Sequence, residues 1–216
     1  MDKYSVIIPT LWQSKRIHKL LNDLIECETV GEIILVDNNR KYDKHYTSPL
    51  PKVKLIQPET NIYVNPAWNL GIKSSKFDCI ALINDDINFN TAIFEVFNSE
   101  LLLKFGIIGM GAGNYTLEEE TEEIQLEPWN FGVSDWGWGC LLFLHKSNWL
   151  EIPDELKVWD GDNFIKEVNP APKAVLRNFK VETEMSTTSD QSEWDEVKKM
   201  DEKHYIRIKW LWKNYR

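Results

Sequence analysis

Cys79-Ile80-Ala81-Leu82-Ile83-Asn84-Asp85-Asp86 decides the fold class. Five apolar residues run without a polar break into an amide and two carboxylates. An unbroken apolar run of strand length reads as a strand covered on both faces, the habit of parallel sheets. The polar triplet marks its carboxyl end. Three earlier segments also read as strands: Tyr4-Ser5-Val6-Ile7-Ile8-Pro9, Ile33-Ile34-Leu35-Val36 closed by Asp37-Asn38-Asn39, and Val53-Lys54-Leu55-Ile56.

Helical spacing separates these runs. Ile17, Leu20, Leu21, Leu24 and Ile25 follow Ser14, which reads as the helix cap. A second helix is predicted through Ala67, Trp68, Leu70 and Ile72, with Asn65 as cap and Pro66 in its first turn. A third is predicted over Thr91–Leu103. Strand and helix alternating at this length give right-handed parallel crossovers. Further on, Ile107–Gly109, Trp138–Leu144 and Ala174–Glu182 read as strands, and Gly111–Asp135 has weak patterning with an acidic stretch. Ser186–Ser192 reads as a mobile loop. Trp194, Val197, Tyr205, Ile208, Leu211 and Trp212 predict a terminal amphipathic helix. The expectation is a single α/β domain over 1–216, with a mixed, mainly parallel central sheet flanked by helices. Its ligand-binding half is 1–110 and its second half 111–216.

Ligands of such sheets bind at the carboxyl ends of the strands. Asp37 and the pair Asp85/Asp86 stand at two such ends and are expected to face one crevice. Adjacent carboxylates raise each other's pKa unless a cation neutralises them. A hard divalent ion, Mg²⁺ or Mn²⁺, suits them, since it takes one or two carboxylates together with substrate phosphates. Position alone allows equally that Asp85 and Asp86 turn the chain and cap the next helix.

Four blocks in order then carry a resemblance: Ser5-Val6-Ile7-Ile8-Pro9-Thr10, Glu32-Ile33-Ile34-Leu35-Val36-Asp37-Asn38, Asn69-Leu70-Gly71 and Ala81-Leu82-Ile83-Asn84-Asp85-Asp86. Over roughly the first hundred residues this resembles the nucleotide-binding half of family two glycosyltransferases, which have the GT-A fold. The resemblance implies a nucleotide-sugar donor, with UDP favoured, and places Pro9, Thr10 and Asn69 on the donor side. Asp37 matches the acid that recognises base or ribose. Asn84-Asp85-Asp86 matches the Asp-x-Asp motif, with Asp86 on the metal-binding position and Asn84 where the motif's first Asp stands. Asp85 either supplements Asp86 on the metal or contacts the ribose.

The same resemblance places a general base in the second half, just before a helix. The matching run is Val158-Trp159-Asp160-Gly161-Asp162-Asn163-Phe164, in which Asp162 is favoured as base and Asp160 is second. Turn chemistry alone reads Asp160-Gly161-Asp162 as a polar turn with a helix cap. Trp136-Gly137-Trp138-Gly139-Cys140 lies between donor and acceptor in the family, so Trp138 and Gly139 are candidate binding residues, beside the alternative of a bulged strand with core aromatics. Many relatives carry a further ligand, often His, in a loop near the C-terminus. Val181–Ser192 has no His, and Glu182, Glu184, Thr187 or Ser189 are the substitutes. His204 falls inside the terminal helix.

The implied activity is an inverting hexosyl or deoxyhexosyl transfer to an acceptor hydroxyl of a glycan or glycoconjugate. A sugar nucleotidyltransferase of related fold usually carries a Gly-rich basic loop after the first strand. Here Thr10-Leu11-Trp12-Gln13-Ser14-Lys15-Arg16 has no glycine. A non-catalytic carbohydrate-binding protein is the other alternative, and ten tryptophans permit it.

A net charge of −9 argues against nucleic acid as a partner. Cys27, Cys79 and Cys140 are too few and too scattered for a disulfide framework, which points to a reducing, cytoplasmic compartment. No apolar run reaches the ~18 residues of a membrane span. Lys209-Trp210-Leu211-Trp212-Lys213-Asn214-Tyr215-Arg216 is basic and aromatic, and either docks on its own core or touches a membrane surface. Asn114-Tyr115-Thr116 is a formal glycosylation sequon. The chain is also readable as one domain of a longer protein.

Overall fold

The computed structural model describes residues 2–119, 123–130, 136–184 and 194–214. The chain enters on β1 (Tyr4–Thr10), passes α1 (Arg16–Glu26) to β2 (Val30–Asp37), and runs through α2 (Tyr42–His45) to β3 (Val53–Ile56). Helix α3 (Val64–Ser74) leads to β4 (Cys79–Ile83), which is followed by β5 (Ile87–Phe89), α4 (Ile93–Val96) and α5 (Ser99–Phe105). Then come β6 (Ile107–Met110), β7 (Gln125–Pro128) and β8 (Leu141–His145). Helix α6 (Gly161–Glu167), β9 (Lys173–Arg177), β10 (Val181–Thr183) and α7 (Asp195–Asn214) complete the described order.

Eight strands form one sheet in the order β3-β2-β1-β4-β8-β6-β9-β7. The first four are parallel, β8 is antiparallel to both β4 and β6, and β9 is parallel to β6. β5 and β10 pair separately as an antiparallel ribbon. This is the mixed, mainly parallel sheet expected from the apolar runs. Every residue of β1 and of β4 is buried, which is why neither strand alternates in polarity.

Each face of the sheet has its own apolar layer. One packs Ile17, Leu20, Leu21 and Leu24 of α1 with Phe94, Phe97 and Leu102. The other packs Ala67, Trp68 and Ile72 of α3 with Phe164 and Ile165 of α6 and Tyr205 of α7. Burying each of the larger of these side chains contributes roughly 1.5–3 kcal/mol before the entropy of ordering is subtracted. Gly71 marks where α3 meets β1: a Cβ there would stand 2.4 Å from Ile7 Cγ2. The glycine is therefore a packing residue, needed for close approach.

Several boundaries differ from the sequence reading. Thr91–Leu103 is two short helices, and Asn98 caps the second by accepting the Leu101 N–H at 2.9 Å. Ala174–Glu182 is two strands, with Asn178 at φ 56° in the turn between them. β7 arises inside the segment whose patterning is weak, because an edge strand with one partner is mostly exposed and carries little apolar signal. Asn65 does not cap α3; its amide donates to the Leu156 carbonyl at 3.2 Å instead. Asn114 is buried with its amide on the Leu176 and Phe179 backbone, so the sequon is inside the protein. Cys79 and Cys140 are buried and outside any disulfide. The loop expected over Ser186–Ser192 lies outside the described residues, as do the last two residues of the basic, aromatic terminus.

Candidate active site

The parallel half of the sheet sets the site. β1 lies between β2 and β4, with Thr10 opposite Asp37 on one side. On the other, Ile7 pairs with Leu82, so Asp85 emerges just beyond the paired register. Thr10 Oγ1 donates to Asp85 Oδ2 at 2.5 Å and accepts the Trp12 N–H at 2.8 Å. Thr10 thus separates the two acidic clusters that the sequence places at strand ends.

The two clusters are used differently. Asp37 is fully buried. Its Oδ1 accepts from Trp12 Nε1 at 2.8 Å and the Asn39 N–H at 3.2 Å; its Oδ2 accepts from the Tyr42 N–H at 2.8 Å and Gln57 Nε2 at 3.0 Å. Asp37 does not line the cleft described next; its neighbour Asn38 does. Burial pushes the Asp85 carboxyl up to about 7, against the bond from Thr10 and with help from the charge of Asp86. Asp86 is also raised, first by burial, with Glu184 raising it further and Arg16 opposing. Its Oδ1 is buried with no hydrogen-bond partner.

A cleft of about 310 Å³ opens beside these residues. Pro9, Thr10, Asn84, Asp85 and Asp86 form the wall from the parallel strands. Gly137, Gly139 and Asp162 also line it, and Tyr63, Trp68, Trp159 and Trp194 supply aromatic surface. Asp162 reaches the cleft from the first turn of α6. Its Oδ1 accepts the Asn163 N–H at 2.9 Å, and the Lys166 ammonium lies 3.4 Å from its Oδ2. Gly139 permits this placement, since a Cβ there would come within 3.0 Å of Asp162 Cβ. Asp160 precedes α6 with φ 61° and accepts from Asn163 Nδ2 at 2.8 Å, outside the cleft lining. Burial raises its carboxyl, against that bond.

Two proposed binding residues are placed away from the cleft. Trp138 is fully buried, donates from Nε1 to the Ala174 carbonyl at 3.1 Å, and fills the space over Gly109. Asn69 spends its whole amide on the 149–152 segment: Oδ1 accepts from Trp149 Nε1 and the Ile152 N–H, both at 3.1 Å, and Nδ2 donates to the Ile152 carbonyl at 2.7 Å.

Residues 5–97 match the model described as glycosyl transferase family 2. The chain has the GT-A fold, and residues 5–97 within it are similar to that family. S. aureus TarS 1–349 in complex with UDP-GlcNAc superposes with TM-score 0.64 at 16% identity, over 97% of this chain and 66% of that one. The same fragment in complex with UDP gives 0.58 at 17% identity, over 83% and 59%. GalNAc-T7 with UDP, GalNAc and Mn²⁺ gives 0.62 at 13% identity, over 100% and 49%. The chain therefore spans less than two thirds of the length of each. No curated protein matches it by sequence.

The carboxylates fit a hard divalent cation at Asp86: a buried oxygen without a partner is what such an ion satisfies. Among the described residues, no group of three or more His, Cys, Asp or Glu is arranged to hold a metal. Remaining ligands would come from the donor's phosphates and water. Glu182 and Glu184, the substitutes for the missing His, are engaged with Arg16 at 3.2 and 3.6 Å. Thr187 and Ser189 lie outside the described residues. His204 sits on α7, half-buried and away from the cleft lining.

Sequence reasoning missed Asp201. This residue is fully buried on the inner face of α7 and accepts the N–H groups of Lys157, Val158 and Trp159 at 3.1, 2.8 and 2.9 Å. A carboxylate on the buried face of an amphipathic helix, four residues before Tyr205, was the available signal. It also missed Tyr63, whose φ of 67° puts a bulky residue in the left-handed region. Trp12 and Asp160 share that strain next to the cleft.

Proposed function

We propose that the chain transfers a sugar from a nucleoside-diphosphate donor, with UDP favoured, to an acceptor hydroxyl of a glycan or glycoconjugate. The observation that carries this reading is that Asp86, with a buried partnerless oxygen, and Asp162 line one cleft. Residues 1–110 act as the donor half of one domain and 111–216 as the acceptor half.

In this reading Pro9, Thr10 and Asn84 bound the donor, and Asp37 shapes the nucleotide end by ordering Trp12, Asn39 and Tyr42. Asp86, with Asp85 beside it, holds Mn²⁺ or Mg²⁺, which when bound offsets charge growing on the leaving diphosphate. Asp162 takes the proton of the acceptor hydroxyl. The acceptor oxygen forms its bond to the anomeric carbon from the face opposite the diphosphate, and the sugar–phosphate bond breaks with its electron pair going to the phosphate oxygen. The anomeric configuration inverts. Tyr63, Trp68, Trp159 and Trp194 offer apolar faces on which a pyranose stacks. Cys27, Cys79 and Cys140, none of them in a disulfide, suit a reducing, cytoplasmic location.

The test is turnover across a panel of nucleotide sugars, with Mn²⁺ and with chelator, in the native chain and in Asp86→Ala and Asp162→Asn. Donor consumption that depends on the cation and is lost in both folded variants supports the reading. A retained anomeric configuration in the product overturns the inverting mechanism. The aromatic wall also favours a second reading, a carbohydrate-binding module without catalysis. Glycan binding indifferent to Mn²⁺ and to Asp162→Asn would select it.

A further inference from the structure

The inner and outer faces of α7 carry different chemistry. Inward, Asp201 and Tyr205 are buried, and Tyr205 Oη donates to the Asn163 carbonyl at 3.3 Å. Outward, Met200 is 54%, Ile206 69%, Trp210 56% and Leu211 41% exposed. These are four of the seven large apolar residues exposed among the described residues, gathered on one helix. Lys199, Lys203, Arg207 and Lys213 are exposed with them. At 100° per residue these eight positions share an arc of roughly 160° opposite Asp201. From Lys199 onward the arc holds no carboxylate; Glu202 borders it.

We infer that this outer face of α7 seats the chain on an anionic lipid surface. The charge argument is local against global. In a chain of net charge −9, the four turns from Lys199 carry four cations on this arc against one bordering acid, Glu202, and the acids Asp195 and Glu196 are confined to the first turn, so an anionic partner is favoured there and repelled elsewhere. The apolar argument separates a lipid from a polyanion. Trp and aliphatic side chains set between cations match the boundary of headgroups and acyl chains, where an indole is half in apolar surroundings and the basic heads remain in water. A nucleic acid would use the cations and leave Met200, Ile206 and Leu211 in water. No helix among the described residues is long and apolar enough to cross a membrane, so attachment lies in the interface plane. The inner face of the same helix holds the 157–159 loop through Asp201, so the surface lies directly behind the segment leading to Asp160 and Asp162. The inference stands whether or not the chain transfers sugar.

The experiment is co-sedimentation of the purified chain with phosphatidylcholine vesicles and with vesicles containing 30% phosphatidylglycerol. The comparison set is Lys199→Glu/Lys203→Glu/Arg207→Glu, the apolar variant Ile206→Ser/Leu211→Ser, and the single reversal Lys203→Glu in case the triple variant fails to fold. The expected result is at least tenfold tighter binding to the anionic vesicles, falling with salt. The triple reversal abolishes it, the single reversal weakens it several-fold, and Ile206→Ser/Leu211→Ser weakens it at high salt as well. Equal binding to both vesicle types, no binding, or binding indifferent to these substitutions overturns the inference. So does duplex DNA bound as tightly as the anionic vesicles, or a concentration-dependent dimer that the same substitutions abolish.

Discussion

Asp201 Oδ2 accepts the Trp159 N–H at 2.9 Å, and through this bond the last helix grips the loop that delivers the candidate base. The same carboxylate holds the N–H groups of Lys157 and Val158. A buried carboxylate wrapped by backbone amides has its charge met by hydrogen bonds in place of a counterion.

Asp201→Ala strands three amides around an empty space, and the expected loss of stability is at least about 3 kcal/mol. Asp201→Asn keeps one acceptor oxygen and loses less. Chemical denaturation measures both. If Asp201 also positions the loop, Asp201→Asn lowers kcat more than it raises the donor KM. Equal melting of Asp201→Ala and the native chain would show the contact to be dispensable.

Asp86→Asn is expected to stabilise the unliganded chain by about 1 kcal/mol while removing the cation response. The carboxylate oxygen Oδ1 is buried with no partner, and an uncompensated buried charge costs more than a neutral amide of the same shape. Thermal shift with UDP, with and without Mn²⁺, separates the two effects. A cation-dependent rise surviving in Asp86→Asn would remove Asp86 from the metal.

Gly139→Ala and Gly71→Ala predict opposite phenotypes. The new Cβ at 139 presses on Asp162 Cβ at 3.0 Å, so turnover falls about tenfold or more through misplacement of the base, with the fold kept. The new Cβ at 71 meets the fully buried Ile7 at 2.4 Å, so stability falls by about 1–3 kcal/mol. Melting temperature and initial rate, measured on both variants, test the contrast.

Glu167 gives a pH signature. Burial raises its carboxyl, yet hydrogen bonds from Lys209 and Tyr205 and the charges of Lys209 and Lys213 outweigh it, leaving the net value below the usual 4.5. A depressed carboxylate stabilises the fold fully above its unfolded pKa, and the contribution is lost as pH falls through the lower folded value. The pair is partly exposed, so the effect is under about 1 kcal/mol. Glu167→Gln should lower stability at pH 7 and match the native chain near pH 2; a constant difference at all pH values would contradict the linkage.

The β1, β2 and β4 assignments were legible because strands buried on both faces are largely apolar, and Val6-Ile7-Ile8, Ile33-Ile34-Leu35-Val36 and Cys79–Ile83 are uninterrupted apolar runs of strand length. Asp85 and Asp86 were legible as strand-end acids, whereas Asp162, expected just before a helix, stands within the first turn of α6. Trp138 and Asn69 were placed with the ligand by resemblance, whereas here each satisfies its polar atoms on neighbouring backbone or Trp149. Residue type does not say which partner a side chain finds, so that difference was invisible from the sequence. β7 and the break between α4 and α5 escaped because exposed, short elements carry too few apolar positions to show a period.

The sequence by itself determined a parallel α/β sheet with acids at its carboxyl ends, because local apolar period and polar punctuation are written residue by residue. Only the tertiary structure decided that Asp37 is sealed by four donors, that Asp86 keeps an oxygen without a partner, and that Asp201 holds Val158 and Trp159 of the cleft lining. Each depends on segments distant in the chain meeting at hydrogen-bond range, and that distance is fixed by packing alone.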